Sequence, residues 1–171
     1  MSAAKSWHNE IASGSRFEFG ANWAAFLKEL TPERIEAAEQ SLRTMIGFER
    51  LDGKSFLDIG SGSGLFSLAA HRLGARVVSF DFDPQSVACT AELKRRYGAD
   101  DGNWTVSQAS ILERGLADRL GSFDVVYSWG VLHHTGRLWE ALENAARMVS
   151  PGGLLFIAIY NDQGRASRVW R

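Results

Sequence analysis

Three glycines on alternate positions separate a short apolar run from a helix-forming one in the stretch FLDIGSGSGLFSLAA, residues 56–70. Glycine adopts backbone angles that a Cβ excludes, and it lets the main chain touch a ligand. Open α/β sheets bind their ligands in the crevice beyond the carboxyl ends of the strands. We therefore expect Gly60, Gly62 and Gly64 to bring the backbone close to a bound molecule.

Two acidic residues narrow the kind of ligand. The G-x-G-x-x-G loop of dinucleotide-binding proteins faces a pyrophosphate, whereas here the spacing is G-x-G-x-G and Asp58 stands two positions before Gly60. A carboxylate there repels a pyrophosphate and attracts a cationic amino-acid end, directly or through water. Asp81 can accept hydrogen bonds from both hydroxyls of a ribose. The alternative for Asp81 is a helix cap, but Asp83 already fills that position. These residues favour a nucleoside that carries an amino acid.

The elements that must position these residues alternate strand and helix from residue 54 onwards. Near-continuous apolar runs predict parallel strands covered on both faces, at 55–60, 76–82, 104–109, 123–129 and 153–160. Asp83 and Pro84 begin a helix that closes at Gly98, and the run 136–149 predicts another helix, which stops at 151–153. The pattern predicts a doubly wound α/β domain whose five strands have the order 3-2-1-4-5.

Residues 1–50 differ from this pattern and are predicted to form an N-terminal helical cap on a Rossmann-like domain of residues 51–171. Thr31 and Pro32 begin a helix that reaches Ile46, with Gly47 as its stop. Aromatic residues crowd the sequence before that helix, namely Trp7, Phe17, Phe19, Trp23 and Phe26. They indicate either core packing against the sheet or a lid over a ligand at the carboxyl edge. In the lid interpretation Asn22 or Trp23 contacts the ligand.

Four stretches in order, FLDIGSGSG, VVSFDFDP, FDVVYSWGVLHHT and MVSPGGLLFIAIYN, resemble class I S-adenosylmethionine-dependent methyltransferases. The resemblance covers residues 54–161 and is nearest to small-molecule methyltransferases of the ubiquinone-biosynthesis type. It implies S-adenosylmethionine as cofactor, S-adenosylhomocysteine as product, and transfer of a methyl group to a small molecule, with oxygen the favoured acceptor atom. The loop after strand four lacks the N/D-P-P-Y/F signature, which disfavours amino nitrogens of nucleic acids or glutamine.

The resemblance also implies roles for individual residues. Asp58 and Gly60 line the methionine part, Asp81 holds the ribose and Phe82 packs on the adenine. Ser61 stands where the family often has cysteine. Together with Trp23 from the lid interpretation, the predicted cofactor contacts are Asp58, Gly60, Ser61, Gly62, Gly64, Asp81, Phe82, Ser110, Ile111, Ser128 and Trp129. Of these, Ser110 and Ile111 replace the acidic residue that the family often places near the adenine amino group. No metal ligands are predicted.

Two histidines follow the fourth strand, where a substrate is expected beside the reactive methyl group. His134, and after it His133, are the candidate general bases for a hydroxyl substrate. Helix capping or packing is the alternative for both. A sulfonium is already an excellent leaving group, so positioning supplies much of the catalysis and a base is needed only if the nucleophile must lose a proton.

The composition limits where the protein is expected in the cell and which partners it is expected to bind. The net charge is −1 and the pI is about 6.4, so no global field attracts nucleic acid or anionic lipid. The single cysteine, Cys89, excludes a disulfide within the chain and suits a reducing cytosol. The longest apolar run, residues 154–160, is far shorter than the roughly 20 residues that cross a bilayer. We predict a soluble cytoplasmic protein that acts on a small molecule and binds neither nucleic acid nor membrane.

The strand count leaves alternatives open. The family sheet has seven strands and only five are predicted here, so strands six and seven are expected to be missing. The long apolar edge of strand five is a pairing liability, which favours either a truncated form of a longer protein or a homo-oligomer that covers the edge. The competing functions are a non-catalytic module that binds S-adenosylmethionine or S-adenosylhomocysteine, an inactive truncated form, and aminopropyl transfer from a related sulfonium nucleoside. No acidic pocket for polyamines supports the last of these.

Overall fold

The structure is a computed structural model, and it describes residues 27–99 and 101–160 of the chain. Five helices and five strands alternate along these residues, with a short 3₁₀ helix at Leu132–Thr135. In chain order they are α1 (Pro32–Ile46), β1 (Ser55–Ile59), α2 (Leu65–Arg72), β2 (Arg76–Asp81), α3 (Pro84–Tyr97), β3 (Trp104–Gln108), α4 (Leu116–Leu120), β4 (Phe123–Trp129), α5 (Leu138–Arg147) and β5 (Val149–Ala158).

The five strands form one parallel sheet with the order β3-β2-β1-β4-β5. This confirms the predicted doubly wound arrangement and its strand order. The order reverses between β1 and β4, because the chain leaves β1 to one side and later returns to pair on the other. A crevice opens at such a reversal, beyond the carboxyl ends of the strands.

Each face of the sheet carries its own hydrophobic core. Helices α1, α2 and α3 cover one face, where Phe56 and Tyr127 of the sheet are buried against helix residues such as Leu42 and Leu68. Helices α4 and α5 cover the other face, against Leu57 and Val126. Strands covered on both sides have no solvent-facing side, which explains why they read as continuous apolar runs rather than alternating ones.

The ends of α1 and α3 lie where the sequence predicts them. Thr31 caps α1 by accepting a hydrogen bond from the Arg34 amide at 3.4 Å, and Gly47 ends it in the left-handed conformation. Asp83 caps α3 by accepting from the Gln85 amide at 2.8 Å. Helix α1 packs on α2 and is fastened to it by an ion pair between Glu39 and Arg72 at 2.9 Å.

The last helix and strand differ from the prediction. The sequence predicts a helix to residue 149 and a strand at 153–160, whereas α5 ends at Arg147 and β5 spans Val149–Ala158. Pro151 and Gly152 therefore lie inside the strand instead of before it. The register explains the difference, because Phe123 pairs with Val149 whereas Val125 pairs with Leu154. The extra residues of β5 form a bulge. Proline and glycine are tolerated at bulges and on edge strands, where no ladder hydrogen bond is lost.

Strand β5 is an edge of the sheet within the described residues. It pairs with β4 alone, and Leu154–Ala158 are only partly buried. Beyond it, Ile159 and Tyr160 are exposed. In the part of the chain that the structure describes, no helix combines the length and apolarity needed to cross a membrane.

Candidate cofactor site

The glycine loop lies at the carboxyl end of β1, beside the reversal of strand order. The amides of Gly60 and Ser61 donate to the Phe80 carbonyl of β2 at 2.8 and 3.1 Å, and the Gly64 amide donates to the Ser61 carbonyl at 2.8 Å. All three glycines have positive φ, from 56° to 82°. These angles are strained for residues with a Cβ, so the tight path from strand to helix requires glycine.

The protein's own chain also excludes side chains from this loop. A Cβ at Gly60 would lie 2.5 Å from the Val131 methyl groups, and one at Gly64 would lie 2.9 Å from the Thr90 Cα. The prediction attributed the glycines to their backbone angles and to a close ligand. The structure adds a further reason, because the loop after β4 and helix α3 pack against the glycine loop. Ser61 supports the same packing, since its hydroxyl is 2.9 Å from that of Thr90.

Asp81 ties the glycine loop to the start of α3. One of its carboxylate oxygens accepts from the Gly62 amide and the other from the Asp83 amide, each at 2.9 Å. Burial raises the pKa of Asp81 to about 6, against the lowering effect of these amides. A carboxylate offers about four acceptor positions, so two remain once the amides are satisfied. That capacity suits the two adjacent hydroxyls of a ribose.

Asp58 lies deeper than Asp81, inside the fold. It is 3% exposed, and one oxygen accepts a hydrogen bond from the Ser67 hydroxyl of α2 at 2.5 Å. Burial, and in smaller part the charge of Asp81, raise its pKa to about 7, while the Ser67 bond opposes the rise. The two carboxyls lie near each other at this edge, Asp58 buried and Asp81 half-buried, and neighbouring like charges disfavour ionisation. A cation or a hydroxyl donor arriving at the edge would relieve that repulsion.

The residues predicted near the adenine follow β2 and β3, which are neighbours in the sheet. Phe82 is half-buried, and its carbonyl accepts from the Gln108 side chain at 3.0 Å. The Ser110 hydroxyl accepts from the Leu112 amide at 3.2 Å. Ile111 is 4% exposed and belongs to the core under α5, which leaves its side chain little surface for a ligand.

Ser128 and Trp129, at the end of β4, have different surroundings. Ser128 is fully buried, and its hydroxyl donates to the Ile59 carbonyl of β1 at 3.0 Å. It therefore fastens the two central strands at the reversal point and has no free surface for a ligand. Trp129 is 43% exposed and stacks on Phe66 and Phe156, with ring centroids 6.3 and 6.1 Å apart. This aromatic cluster forms a wall at the carboxyl edge, on the face covered by α1 and α2.

The two histidines lie in the 3₁₀ helix after β4 but differ in burial. His134 is exposed. His133 packs edge-on against Tyr160 at 5.1 Å, and both of its ring nitrogens are shielded from solvent without a hydrogen-bond partner among the described residues. Burial lowers the pKa of His133, so its ring is neutral at neutral pH.

Several residues of the site escaped the sequence prediction. Ser67 hydrogen-bonds to Asp58, and Thr90 hydrogen-bonds to the glycine loop. Val131 packs against Gly60, and Tyr127 pairs with Asp58 in the sheet. Ser67, Thr90 and Tyr127 lie in strands and helices whose patterns indicate only secondary structure, and Val131 lies in the loop after β4, so no local signal marks them. Trp23 lies outside the described residues.

A cleft of about 650 Å³ lies between α4 and α5, on the opposite face of the sheet from the glycine loop's helix α2. Of the predicted site residues, Ile111 alone lines it. We therefore place the candidate site at the glycine loop, where the predicted residues gather, and not in this cleft. Among the described residues no three metal-binding side chains form a cluster.

Known proteins resemble this chain in sequence and in fold. A profile described as a methyltransferase domain matches residues 57–157. The ubiquinone biosynthesis O-methyltransferase of Caulobacter vibrioides is 30% identical over 94% of this chain and 67% of its own length. That of Xanthomonas oryzae pv. oryzae is 33% identical over 79% of this chain and 52% of its own length. The N-methyltransferase NodS of Bradyrhizobium japonicum superposes with a TM-score of 0.57 at 22% identity, over 74% of this chain and 62% of NodS.

The chain belongs to the methyltransferase-domain family. The resemblance to class I S-adenosylmethionine-dependent methyltransferases is thereby confirmed, and with it the Rossmann-like fold and the methyl donor that defines that class. The chain spans between about half and two thirds of the length of the two curated relatives named above.

Proposed function

We propose that this chain carries the cofactor site and the methyl-transfer centre of an enzyme that methylates an oxygen of a small molecule. The observation that carries the proposal is Asp81, a half-buried carboxylate that joins the glycine loop to the cap of α3 and keeps acceptor positions for two hydroxyls. The names of the curated relatives, which are O-methyltransferases, support oxygen as the acceptor atom.

The residues at this edge fit S-adenosylmethionine. Asp81 would hold the ribose, Phe82 and Ser110 would border the adenine, and Asp58 would attract the ammonium of the methionine end, directly or through water. When bound, the cofactor supplies a methyl group on a positively charged sulfur. Trp129 presents an aromatic face at the same edge, and such a face attracts a cation by roughly 0.5–2 kcal/mol.

We propose His133 as the base that takes a proton from the acceptor hydroxyl, once the substrate displaces Tyr160 and reaches one of the shielded ring nitrogens. Its imidazole is neutral because burial lowers its pKa, and a neutral ring nitrogen accepts a proton. His134 is exposed, which makes it the weaker candidate although the sequence favoured it. Loss of activity in His133→Ala, with cofactor affinity retained, would support this role, whereas loss only in His134→Ala would contradict it.

The alternative is a module that binds the cofactor without turnover. It is favoured by the uncovered β5 of the described sheet. A mass-spectrometric screen for compounds that gain a methyl group separates the two functions, if run on this chain and on a version extended to the length of its relatives. Methylation by the longer chain alone would assign catalysis to the whole protein and cofactor binding to this part.

The cofactor itself is tested by calorimetry with S-adenosylmethionine and S-adenosylhomocysteine against NAD and ATP. We expect both sulfur nucleosides to bind, and binding of NAD alone would overturn the proposal. Asp81→Asn should weaken S-adenosylhomocysteine binding by about 1–3 kcal/mol because ribose hydroxyls lose acceptors. Asp118→Asn, an exposed residue of α4, is the matched control and should bind normally.

The remaining proposals concern location and partners. The near-neutral charge and the absence of a predicted disulfide support a cytoplasmic protein that binds neither nucleic acid nor membrane. The bare edge of β5 supports self-association through that strand.

Residues 1–50 are proposed as a cap on the domain of residues 51–171, with Asn22 or Trp23 over the cofactor. Deleting residues 1–28 should lower cofactor affinity at least tenfold, about 1.4 kcal/mol, and leave the sheet domain folded.

A further inference from the structure

A line of buried hydrogen bonds leads from the edge strand β3 through β2 and α2 to Asp58. The indole Nε1–H of Trp104 in β3 lies 2.8 Å from the Ser79 hydroxyl of β2. That hydroxyl is 2.7 Å from the hydroxyl of Ser67 in α2, which is 2.5 Å from the Asp58 carboxylate in β1. All four side chains are at most 3% exposed, so water does not compete for these bonds.

Chemistry fixes the direction of the line. An indole N–H only donates, so Ser79 accepts from Trp104 and has its own hydrogen left to give. When Asp58 is in its carboxylate form, Ser67 gives its hydrogen to it, because an ionised carboxylate only accepts. The bond between the serines therefore runs from Ser79 to Ser67. Three donors in series point toward Asp58, and each bond polarises the next in a low-dielectric interior.

We propose that Trp104, acting through Ser79 and Ser67, holds Asp58 in its carboxylate form and so sets the pH above which the glycine loop accepts the cationic end of the cofactor. The three residues are positioning residues, since none of them needs to touch a ligand. The first clause concerns the protein alone, whereas the second rests on the proposed function of Asp58.

Asp58 is placed where such support matters. Burial and the nearby Asp81 oppose its ionisation and bring its pKa to about 7, so a small change in hydrogen bonding alters its charge near neutral pH. Other titratable groups face this region. They are Asp83, which caps α3, Cys89 within α3, and Tyr127, which lies opposite Asp58 in β4. His71 lies at the far end of α2, and its ring packs on Trp104 at 5.7 Å. None of them donates a described hydrogen bond to Asp58, whereas Ser67 does.

The first test measures the free energy of unfolding against pH. A carboxyl whose pKa is raised by folding stabilises the fold fully at acid pH, and this stability is lost as the pH rises to the folded pKa. The loss of stability should therefore level off near pH 7. In Asp58→Asn, the part of the loss that occurs just below pH 7 should disappear. Ser67→Ala should move the levelling point upwards by about one pH unit, and Trp104→Phe, which removes the N–H and keeps an aromatic ring, by a smaller amount in the same direction.

Ser55→Ala is the matched control, because the Ser55 hydroxyl donates to Asp124 at 2.7 Å. Both residues lie at the amino ends of β1 and β4, away from the glycine loop. This variant should leave the levelling point unchanged. An unchanged point in both Trp104→Phe and Ser79→Ala would overturn the proposal, even if Ser67→Ala moved it, because the line would then begin at Ser67.

The second test measures S-adenosylhomocysteine affinity against pH in the same variants. Affinity should rise through the pKa of Asp58 and reach its plateau at a higher pH in Trp104→Phe than in the parent chain. A plateau at the same pH in both would overturn the link to cofactor binding. If the parent chain binds no S-adenosylhomocysteine, the proposed function fails, and the unfolding profiles alone decide whether Trp104 controls Asp58.

Discussion

Asp58 and Asp81 occupy one edge of the sheet but are built for different tasks. Asp81 is held by two backbone amides, which fix its orientation and leave it acceptor positions. Asp58 is held by a serine inside the fold, and its pKa is raised mainly by burial. Both carboxyls cost stability when they ionise without a ligand, because their folded pKa lies above the unfolded one. A ligand with hydroxyl and ammonium donors would offset that cost.

Tyr127 is a residue whose burial is not matched by hydrogen bonding. It lies opposite Asp58 in the sheet and is 1% exposed, and its hydroxyl has no partner among the described residues. Burial, and next the charge of Asp58, raise its pKa. Such a hydroxyl costs free energy as long as it remains unpaired.

Tyr127→Phe should therefore stabilise the cofactor-free chain by about 1 kcal/mol. Urea unfolding of the variant and the parent measures the effect. Tyr97→Phe, at a partly exposed tyrosine of α3, is the control and should change stability by less than about 0.5 kcal/mol. Destabilisation of Tyr127→Phe by 1 kcal/mol or more would mean that the hydroxyl has a partner and would contradict the expectation.

At the scale of the elements, two glycines begin helices in the same way but in different surroundings. Gly64 precedes α2 and Gly115 precedes α4, both in the left-handed conformation, at φ of 82° and 76°. A Cβ at Gly64 would lie 2.9 Å from the backbone of Thr90, whereas one at Gly115 would have no atom within 4 Å. Comparing alanine substitutions at these two glycines separates the cost of a strained backbone from the cost of steric overlap with Thr90.

Gly115→Ala should lower the free energy of unfolding by about 1 kcal/mol, the strain of a positive φ. Gly64→Ala should cost about 1–3 kcal/mol more, because the Thr90 backbone must move. Thermal or urea unfolding of both variants gives the difference. Equal losses would show that α3 adapts freely to the loop, and would weaken the view that packing of the chain itself requires this glycine.

Elements were predictable from the sequence where a local physical signal marks them. Thr31 with Pro32 and Asp83 with Pro84 combine a capping side chain with a proline that fits a first turn, and both helices begin there. The start of β5 was not predictable, because Pro151 and two glycines are typical of a turn. Only pairing with β4, which the local sequence does not contain, places them in a bulge.

The same distinction applies to the site as a whole. Gly60, Asp58 and Asp81 stand at strand ends, and parallel strands end at a common edge, so their gathering could be predicted. The line from Trp104 to Asp58 joins residues of four elements across 46 positions of sequence. Nothing in the spacing of a tryptophan and two serines indicates contact, because the contact arises from the sheet register and from the way α2 packs on the sheet.

The described sheet ends in two edge strands, β3 and β5, and β5 is twice as long as β3. Strand β5 spans Val149–Ala158, contains no charged residue and pairs on one side only. Natural sheets protect such edges with charges, short strands or covering elements, and an unprotected edge pairs with another chain. Pro151 and the bulge interrupt the first half of the strand, so Leu154–Ala158 is the stretch available for pairing.

We expect this chain to self-associate through that stretch, since pairing would satisfy backbone groups of β5 and cover its apolar side chains. Sedimentation velocity over a wide range of concentrations should show a monomer that gives way to a dimer. Ile159→Lys places a charge at the end of the edge and should weaken association by about tenfold, or about 1.4 kcal/mol. Trp139→Lys makes the same change at an apolar residue of α5 that is 75% exposed and should leave association unchanged. A monomer at every concentration, or equal weakening by both substitutions, would contradict pairing through β5.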